Sequence, residues 1–395
     1  MNVAIVTYSL NYGGVSTFIL THAKEFSAKG DTVTIITTES KGVWFDTLSI
    51  PNVTYLHISG LASWWMPMFL YTYKIAAQFK KGNYDLIIIN NSRQALSALS
   101  LIPKETRAIS VIHNDHPVLC NNACVNEDMV DAIVAVSPAV YHRATKIVKN
   151  KNKLVQVLNA IEIETELRYS TRDAYQPKEL LKIIFVGRLV DEQKGVFLIP
   201  QIAAILKQKN IRFHIELAGE GEDYEELHKQ IKNIDVIKDV TFLGYINNAE
   251  IKDKLLQSHI LLVPSKYEGL PLNVLEAMTR GCVPVMSDLN EITEICFDNM
   301  REGIACKTGD SKSFADAIEL IYEGNVNWGI LSSNARKKAG ATFSSERMFK
   351  EYLSLLENGN SKLQIKNPSM RISLIDLIPL NVLNAYIKFK KKIKK

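Results

Sequence analysis

The run Ile260–Gly281 constrains this chain more than any other. Apolar residues from Ile260 to Val263 stop at Pro264 and Ser265, and a Glu-Gly pair follows at 268 and 269. Leu270, Leu272, Val274, Leu275 and Met278 then recur at helical spacing as far as Gly281. The order is strand, loop, helix. It puts one carboxylate, Glu268, in the loop at the strand's carboxyl end and a second, Glu276, about two turns into the helix. In open α/β sheets ligands bind outside the carboxyl ends of the strands. An ionised Glu there offers two acceptor oxygens to vicinal hydroxyls, and the N–H groups that open the helix favour an anion beside them. Hydroxyls together with phosphate describe a sugar nucleotide.

A second constellation precedes it. The apolar run Leu181–Val186 reads as a strand and leads into G-R-L-V-D-E-Q-K-G from Gly187 to Gly195. Gly187 lets the backbone turn, Arg188 can grip phosphate bidentately, and Lys194 adds a point charge. Phe213–Ala218 followed by Gly219 and Gly221, and Val240–Gly244 followed by Tyr245, repeat the strand-then-glycine pattern, with a helix expected over Asn248–Gln257 and a strand over Val283–Met286.

Glu268 and Glu276, with seven residues between them inside E-G-L-P-L-N-V-L-E-A-M, resemble the E-x7-E motif of the retaining GT-B glycosyltransferases of glycosyltransferase family 4. The run G-R-L…K-G resembles that family's diphosphate clamp. The resemblance implies an α/β GT-B fold: two Rossmann-like domains facing across a cleft, with a C-terminal helix crossing back to the first. It implies that Glu268 contacts the donor sugar with Gly269 and Leu270 beside it, that Glu276 holds the ribose, and that Gly187, Arg188 and Lys194 bind the diphosphate. It spans roughly Met1 to Glu357 and is specific at Gly187–Gly195 and Glu268–Met278.

The N-terminal half opens as βαβ: a strand at Val3–Tyr8, a turn at Asn11–Gly14, a helix at Val15–Lys29 and a strand at Thr32–Thr37. Its loop lacks G-x-G-x-x-G, which counts against a nicotinamide enzyme. The glycines before the helix allow close approach of a phosphate or sugar, or form a tight turn; by resemblance Gly14 belongs to donor binding. Further strands are expected at Val53–Ile58, Asp85–Asn90, Arg107–His113, Ala132–Val136 and Leu154–Leu158. His113 ends one of them and matches the family's histidine against the donor sugar. His113, His116, Cys120 and Cys124 are zinc-ligand types without a zinc-site spacing, and the expectation is no metal and no cofactor. Trp64, Trp65, Met66, Phe69 and Tyr73, followed by Lys74, Lys80 and Lys81, suit either a membrane interface or packing on the sheet.

The chain has 395 residues, enough for two domains, and a composition 47% apolar and 23% charged, as in soluble globular proteins. Its net charge of +5 is concentrated at the C-terminus: from Ser361 to Lys395 nine Lys and Arg oppose Asp376 alone. The remainder is slightly acidic, which argues against a nucleic-acid partner. Arg371–Lys395 is an apolar stretch broken by Asp376 and Pro379, then six lysines with Phe389 and Ile393 among them, a pattern that can lie in an anionic membrane surface without spanning it. Five cysteines fit a reduced, cytoplasmic protein, and the N-terminus reads as a strand with no signal peptide. The expected domains are 1–160 for the acceptor, a linker at 161–178, 179–342 for the nucleotide sugar, a crossover helix at 343–358 and a membrane-associating tail at 359–395. The expected activity moves a sugar from a UDP-linked donor to a glycan, lipid-linked acceptor in cell-surface polysaccharide synthesis, at the inner face of the plasma membrane. A nucleotide-sugar epimerase of the same fold and a non-catalytic sugar-nucleotide-binding protein are the alternatives.

Overall fold

The computed structural model describes residues 1–11, 13–58, 68–103, 105–163, 175–234 and 236–358. Trp64, Trp65 and Met66, residues 164–174 of the expected linker, and the basic tail 359–395 lie outside the described residues. The chain forms two compact units, one made of residues 1–158 with the described residues from Met348 onward, the other of Asn159–Arg347.

The first unit is built on a seven-stranded, all-parallel sheet. Its strands are β1 (Asn2–Thr7), β2 (Thr32–Thr37), β3 (Val53–His57), β4 (Leu86–Asn90), β5 (Arg107–Ile112), β6 (Ala132–Ala135) and β7 (Leu154–Gln156). Their order is β3-β2-β1-β4-β5-β6-β7. Parallel sheets are covered on both faces, so their strands are apolar throughout; all five residues of β4 and the last five of β1 are buried. The final helix, Ser345–Asn358, contributes to this unit from Met348 on. Phe349 meets Phe26 edge-on at 4.8 Å, Tyr352 meets His22 at 4.5 Å, and Arg107 donates to the Leu356 carbonyl at 2.8 Å.

The second unit repeats the plan with six parallel strands in the order β10-β9-β8-β11-β12-β13. They are β8 (Leu181–Val186), β9 (Phe213–Ala218), β10 (Val240–Gly244), β11 (Ile260–Val263), β12 (Val283–Ser287) and β13 (Ile304–Cys306). Leu181, Ile183 and Phe185 on β8 share a core with Ile202, Phe314 and Ile318 from the flanking helices. Local signals set the helix ends: Asn247 accepts from the Ala249 and Glu250 amides while the Glu250 carboxylate accepts from the Asn247 amide, a reciprocal cap that starts the helix Asn248–Gln257.

In each sheet the strand order reverses at the first strand, between β1 and β4 in one unit and between β8 and β11 in the other. Crevices for ligands open at the carboxyl ends of such strand pairs.

Candidate active site

At the reversal point of the second unit, β8 delivers Gly187 and Arg188, and β11 delivers Pro264, Ser265 and the loop to Glu268. A single turn of helix, Asp191–Lys194, follows Arg188 and ends at Gly195 with φ 62°, the left-handed region. A Cβ at Gly195 would stand 2.1 Å from the Pro264 carbonyl oxygen, so only glycine lets this loop close onto the end of β11. The Lys266 amide donates to the Gln193 carbonyl at 2.8 Å, and Lys266 Nζ reaches Asp191 Oδ2 at 2.7 Å, which fastens the two loops together.

That closure brings Lys194 to Glu268. Glu268 is only 6% exposed. Its Oε1 accepts from Lys194 Nζ at 2.6 Å and from Ser265 Oγ at 2.8 Å, and its Oε2 from Gln193 Nε2 at 3.5 Å. Arg188 donates to Gln193 Oε1 at 2.7 Å, so Arg188, Gln193 and Glu268 form one hydrogen-bonded chain. A buried carboxylate needs such partners, because desolvation otherwise favours its neutral form.

The helix that follows is Leu272–Thr279, with Pro271 before its first residue. Glu276 therefore sits just past the first turn, a correction to the expected two turns: Leu270 belongs to the preceding loop, where it is buried beside Gly269. Asn273 donates to the Val186 carbonyl at 2.8 Å and ties this helix to β8. The half-buried Glu276 carboxyl is pushed up to about 6 by desolvation, against the opposing pull of Arg280 and Lys252.

Gly14 and His113 belong to the first unit. Gly14 opens the helix Gly14–Ala28, after Gly13. His113 stands just beyond β5, buried, with Nε2 2.7 Å from Asn90 Oδ1 and its ring edge-on to Phe18 at 4.7 Å. Burial, then His22, pushes its pKa down to about 3. Asn90 ends β4 and donates to the Val6 carbonyl of β1 at 3.1 Å, so this pair occupies the reversal point of the first sheet.

The structure thus brings Lys194, Glu268 and Arg188 into one network and places Glu276 on the adjoining helix. Sequence reasoning missed Ser265, Gln193 and Asn90. Ser265 lies three residues before Glu268, within reach across one turn of loop, and that spacing was the available signal. Gln193 carried none apart from adjoining Lys194. Of the four residues weighed for zinc, Cys120 donates to the Asn114 carbonyl at 3.1 Å and His113 is engaged by Asn90. Burial pushes the Cys120 and Cys124 thiols up to about 11 and about 12. Among the described residues no group of three or more His, Cys, Asp or Glu is arranged to hold a metal ion. No helix among them is long and apolar enough to cross a membrane.

Two family models match the chain in succession: Glycosyltransferase Family 4 over residues 12–165 and Glycosyl transferases group 1 over residues 171–340. With the two doubly wound sheets, they make this chain a glycosyltransferase of the GT-B fold. It is 24% identical to a 41.2 kDa protein of the cps region of Klebsiella pneumoniae, over 91% of this chain and 100% of that protein. It is 29% identical to the amylovoran biosynthesis glycosyltransferase AmsK of Erwinia amylovora, over 47% of this chain and 46% of AmsK. Among solved structures it resembles HepE of Anabaena, determined in complex with UDP and glucose. The TM-score is 0.73 at 18% identity, with 91% of this chain and 100% of HepE covered.

Proposed function

We propose that this glycosyltransferase moves a hexosyl group from a UDP-linked donor, with retention of anomeric configuration, onto a lipid-linked glycan acceptor in cell-surface polysaccharide synthesis. The observation that carries the reading is the network of Arg188, Lys194 and Glu268 at the reversal point of the second sheet. UDP and glucose in HepE, and the cps-region and amylovoran settings of the two relatives, support the donor class and the pathway.

Breaking an anomeric bond to a diphosphate places negative charge on the departing oxygens. Cations already positioned there stabilise that state more than the ground state. Arg188 and Lys194 take this role, and no metal is invoked. The Glu268 carboxylate accepts hydrogen bonds from hydroxyls of the transferring sugar, and Glu276 from the ribose. His113 takes a sugar hydroxyl. The C-terminal sequence 359–395, with its lysines and interleaved apolar residues, holds the enzyme on the anionic inner face of the plasma membrane, where the acceptor lies.

The test is a donor screen. Purified full-length protein is incubated with UDP-glucose, UDP-galactose and UDP-N-acetylglucosamine, with and without a lipid-linked glycan, and the anomeric configuration of the product is read by NMR. Acceptor-dependent UDP release giving an α-linked product supports the reading. A changed donor released without acceptor would turn it to epimerisation, and a β-linked product would end the claim of retention.

A further inference from the structure

We infer that Asn90 is a positioning residue that holds His113 as the tautomer protonated on Nε2, so that Nδ1 presents a lone pair to a hydroxyl of the sugar substrate. The inference rests on the glycosyltransferase reading above for the identity of that substrate, while the tautomer follows from geometry alone. The Asn90 side chain is fully buried between two fixed groups, the Val6 carbonyl at 3.1 Å and His113 Nε2 at 2.7 Å. A backbone carbonyl only accepts, so the amide atom facing it is the NH2, and Oδ1 faces the histidine. Oδ1 also only accepts, so His113 Nε2 carries the hydrogen. In a neutral imidazole Nδ1 is then the acceptor.

The surroundings keep the ring neutral and leave Nδ1 available. Burial and the neighbouring His22 disfavour the charged form of His113. Among the described residues Nδ1 has no hydrogen-bond partner, and His113 keeps 8% of its surface exposed, so the residue is not sealed from solvent. His22 provides the contrast: its Nδ1 lies 3.2 Å from the Phe18 carbonyl, which fixes the opposite tautomer one ring away. An acceptor-only nitrogen welcomes an O–H and repels a carboxylate or carbonyl oxygen. The substrate class is a sugar presenting a hydroxyl at this point, in preference to a uronic acid presenting its carboxylate there.

The test has a spectroscopic arm and a kinetic arm. In full-length protein labelled with 15N-histidine, with His113→Gln used to assign the signal, the wild type is expected to show a protonated Nε2 and a bare Nδ1. The near-isosteric Asn90→Leu should give a mixture of tautomers. A wild-type His113 protonated on Nδ1 overturns the inference, and this arm needs neither activity nor a folded variant at position 90. The kinetic arm follows UDP release from UDP-glucose, UDP-galactose, UDP-N-acetylglucosamine and UDP-glucuronic acid. Asn90→Leu should lower kcat/KM about tenfold on the best neutral donor, and adding it to His113→Gln should cost nothing further. Additive losses, an unchanged Asn90→Leu enzyme, or UDP-glucuronic acid turned over as fast as the neutral donors would overturn it. No UDP release from any of the four by the wild type strikes instead at the transferase reading, and the wild-type tautomer still decides the Asn90–His113 relationship.

Discussion

Lys194 Nζ lies 2.6 Å from Glu268 Oε1, joining two residues 74 positions apart, each assigned a separate role from sequence. Both side chains are largely withdrawn from water, at 15% and 7% exposure, so neither charge is easily left alone. Removing one partner of such a pair costs more than the pair itself is worth. Lys194→Ala and Glu268→Ala should each lower turnover, and the double variant should lose less than the sum of the two. Glu268→Ala should act mainly on kcat, by about 1.5–3 kcal/mol. Arg188→Ala should also impair transfer, and EDTA should not. Steady-state kinetics on the four variants, with circular dichroism for folding, is the measurement; strict additivity or restoration by a divalent ion would defeat the account.

Glu276 makes a pH prediction. Its folded-state value near 6 lies above the ordinary 4.5, so the folded protein holds this proton more tightly than the unfolded chain. The resulting contribution is fully present below pH 4.5 and is lost as pH rises through about 6. Glu276→Gln should therefore stabilise the ligand-free protein by about 1 kcal/mol at pH 7.5 and confer little or no advantage at pH 4. The same variant should bind UDP more weakly at neutral pH, since it loses a charged acceptor for the ribose. Urea melts at the two pH values and titration calorimetry with UDP provide the check, and a pH-independent stability difference would refute the assignment.

Gly195→Ala should damage both stability and catalysis. The left-handed backbone costs an alanine about 1–2 kcal/mol, and its Cβ would meet the Pro264 carbonyl, which cannot move without disturbing β11. Relief of that contact lifts the Asp191–Lys194 turn and withdraws Lys194 from Glu268. Denaturant melts and donor kinetics should fall together; a stable variant with native kcat would show that the close approach is dispensable.

The basic C-terminal sequence should confer binding to anionic vesicles. Each Lys near such a surface contributes about 1 kcal/mol at low salt. Full-length protein should float with phosphatidylglycerol liposomes and release as salt is raised, while a chain ending at Asn358 should stay behind. Equal flotation of the two would remove the tail from the proposal.

Much of this fold is legible in the sequence because parallel strands covered on both faces read as uninterrupted apolar runs. The expected strands Leu181–Val186, Phe213–Ala218 and Val240–Gly244 coincide with β8, β9 and β10. The strand Ile304–Cys306 escaped, being a three-residue edge strand too short to carry a pattern. The start of the helix at Leu272 escaped for another reason: Leu270 is apolar and buried whether it lies in a helix or in a loop, and periodicity cannot separate the two. At the site, residue types were readable and partnerships were not. Lys194 reaches Glu268 only because Gly195 passes close to Pro264, a relationship between two distant loops that neither loop's sequence states. Asn90 looked like the polar end of a strand, and its role depends on β1 and β5 flanking β4 in the sheet.

The first unit is closed by residues that follow the whole of the second in sequence. Phe349 and Tyr352 pack on the helix Gly14–Ala28, and Arg107 bonds the Leu356 carbonyl. The second unit, by contrast, is one unbroken segment ending at Arg347. On the ribosome the order of completion is therefore the reverse of the order of synthesis. Domains generally fold as they emerge, yet here the part translated first must wait, with Phe18, His22 and Phe26 uncovered on one side, until the part translated second is already whole.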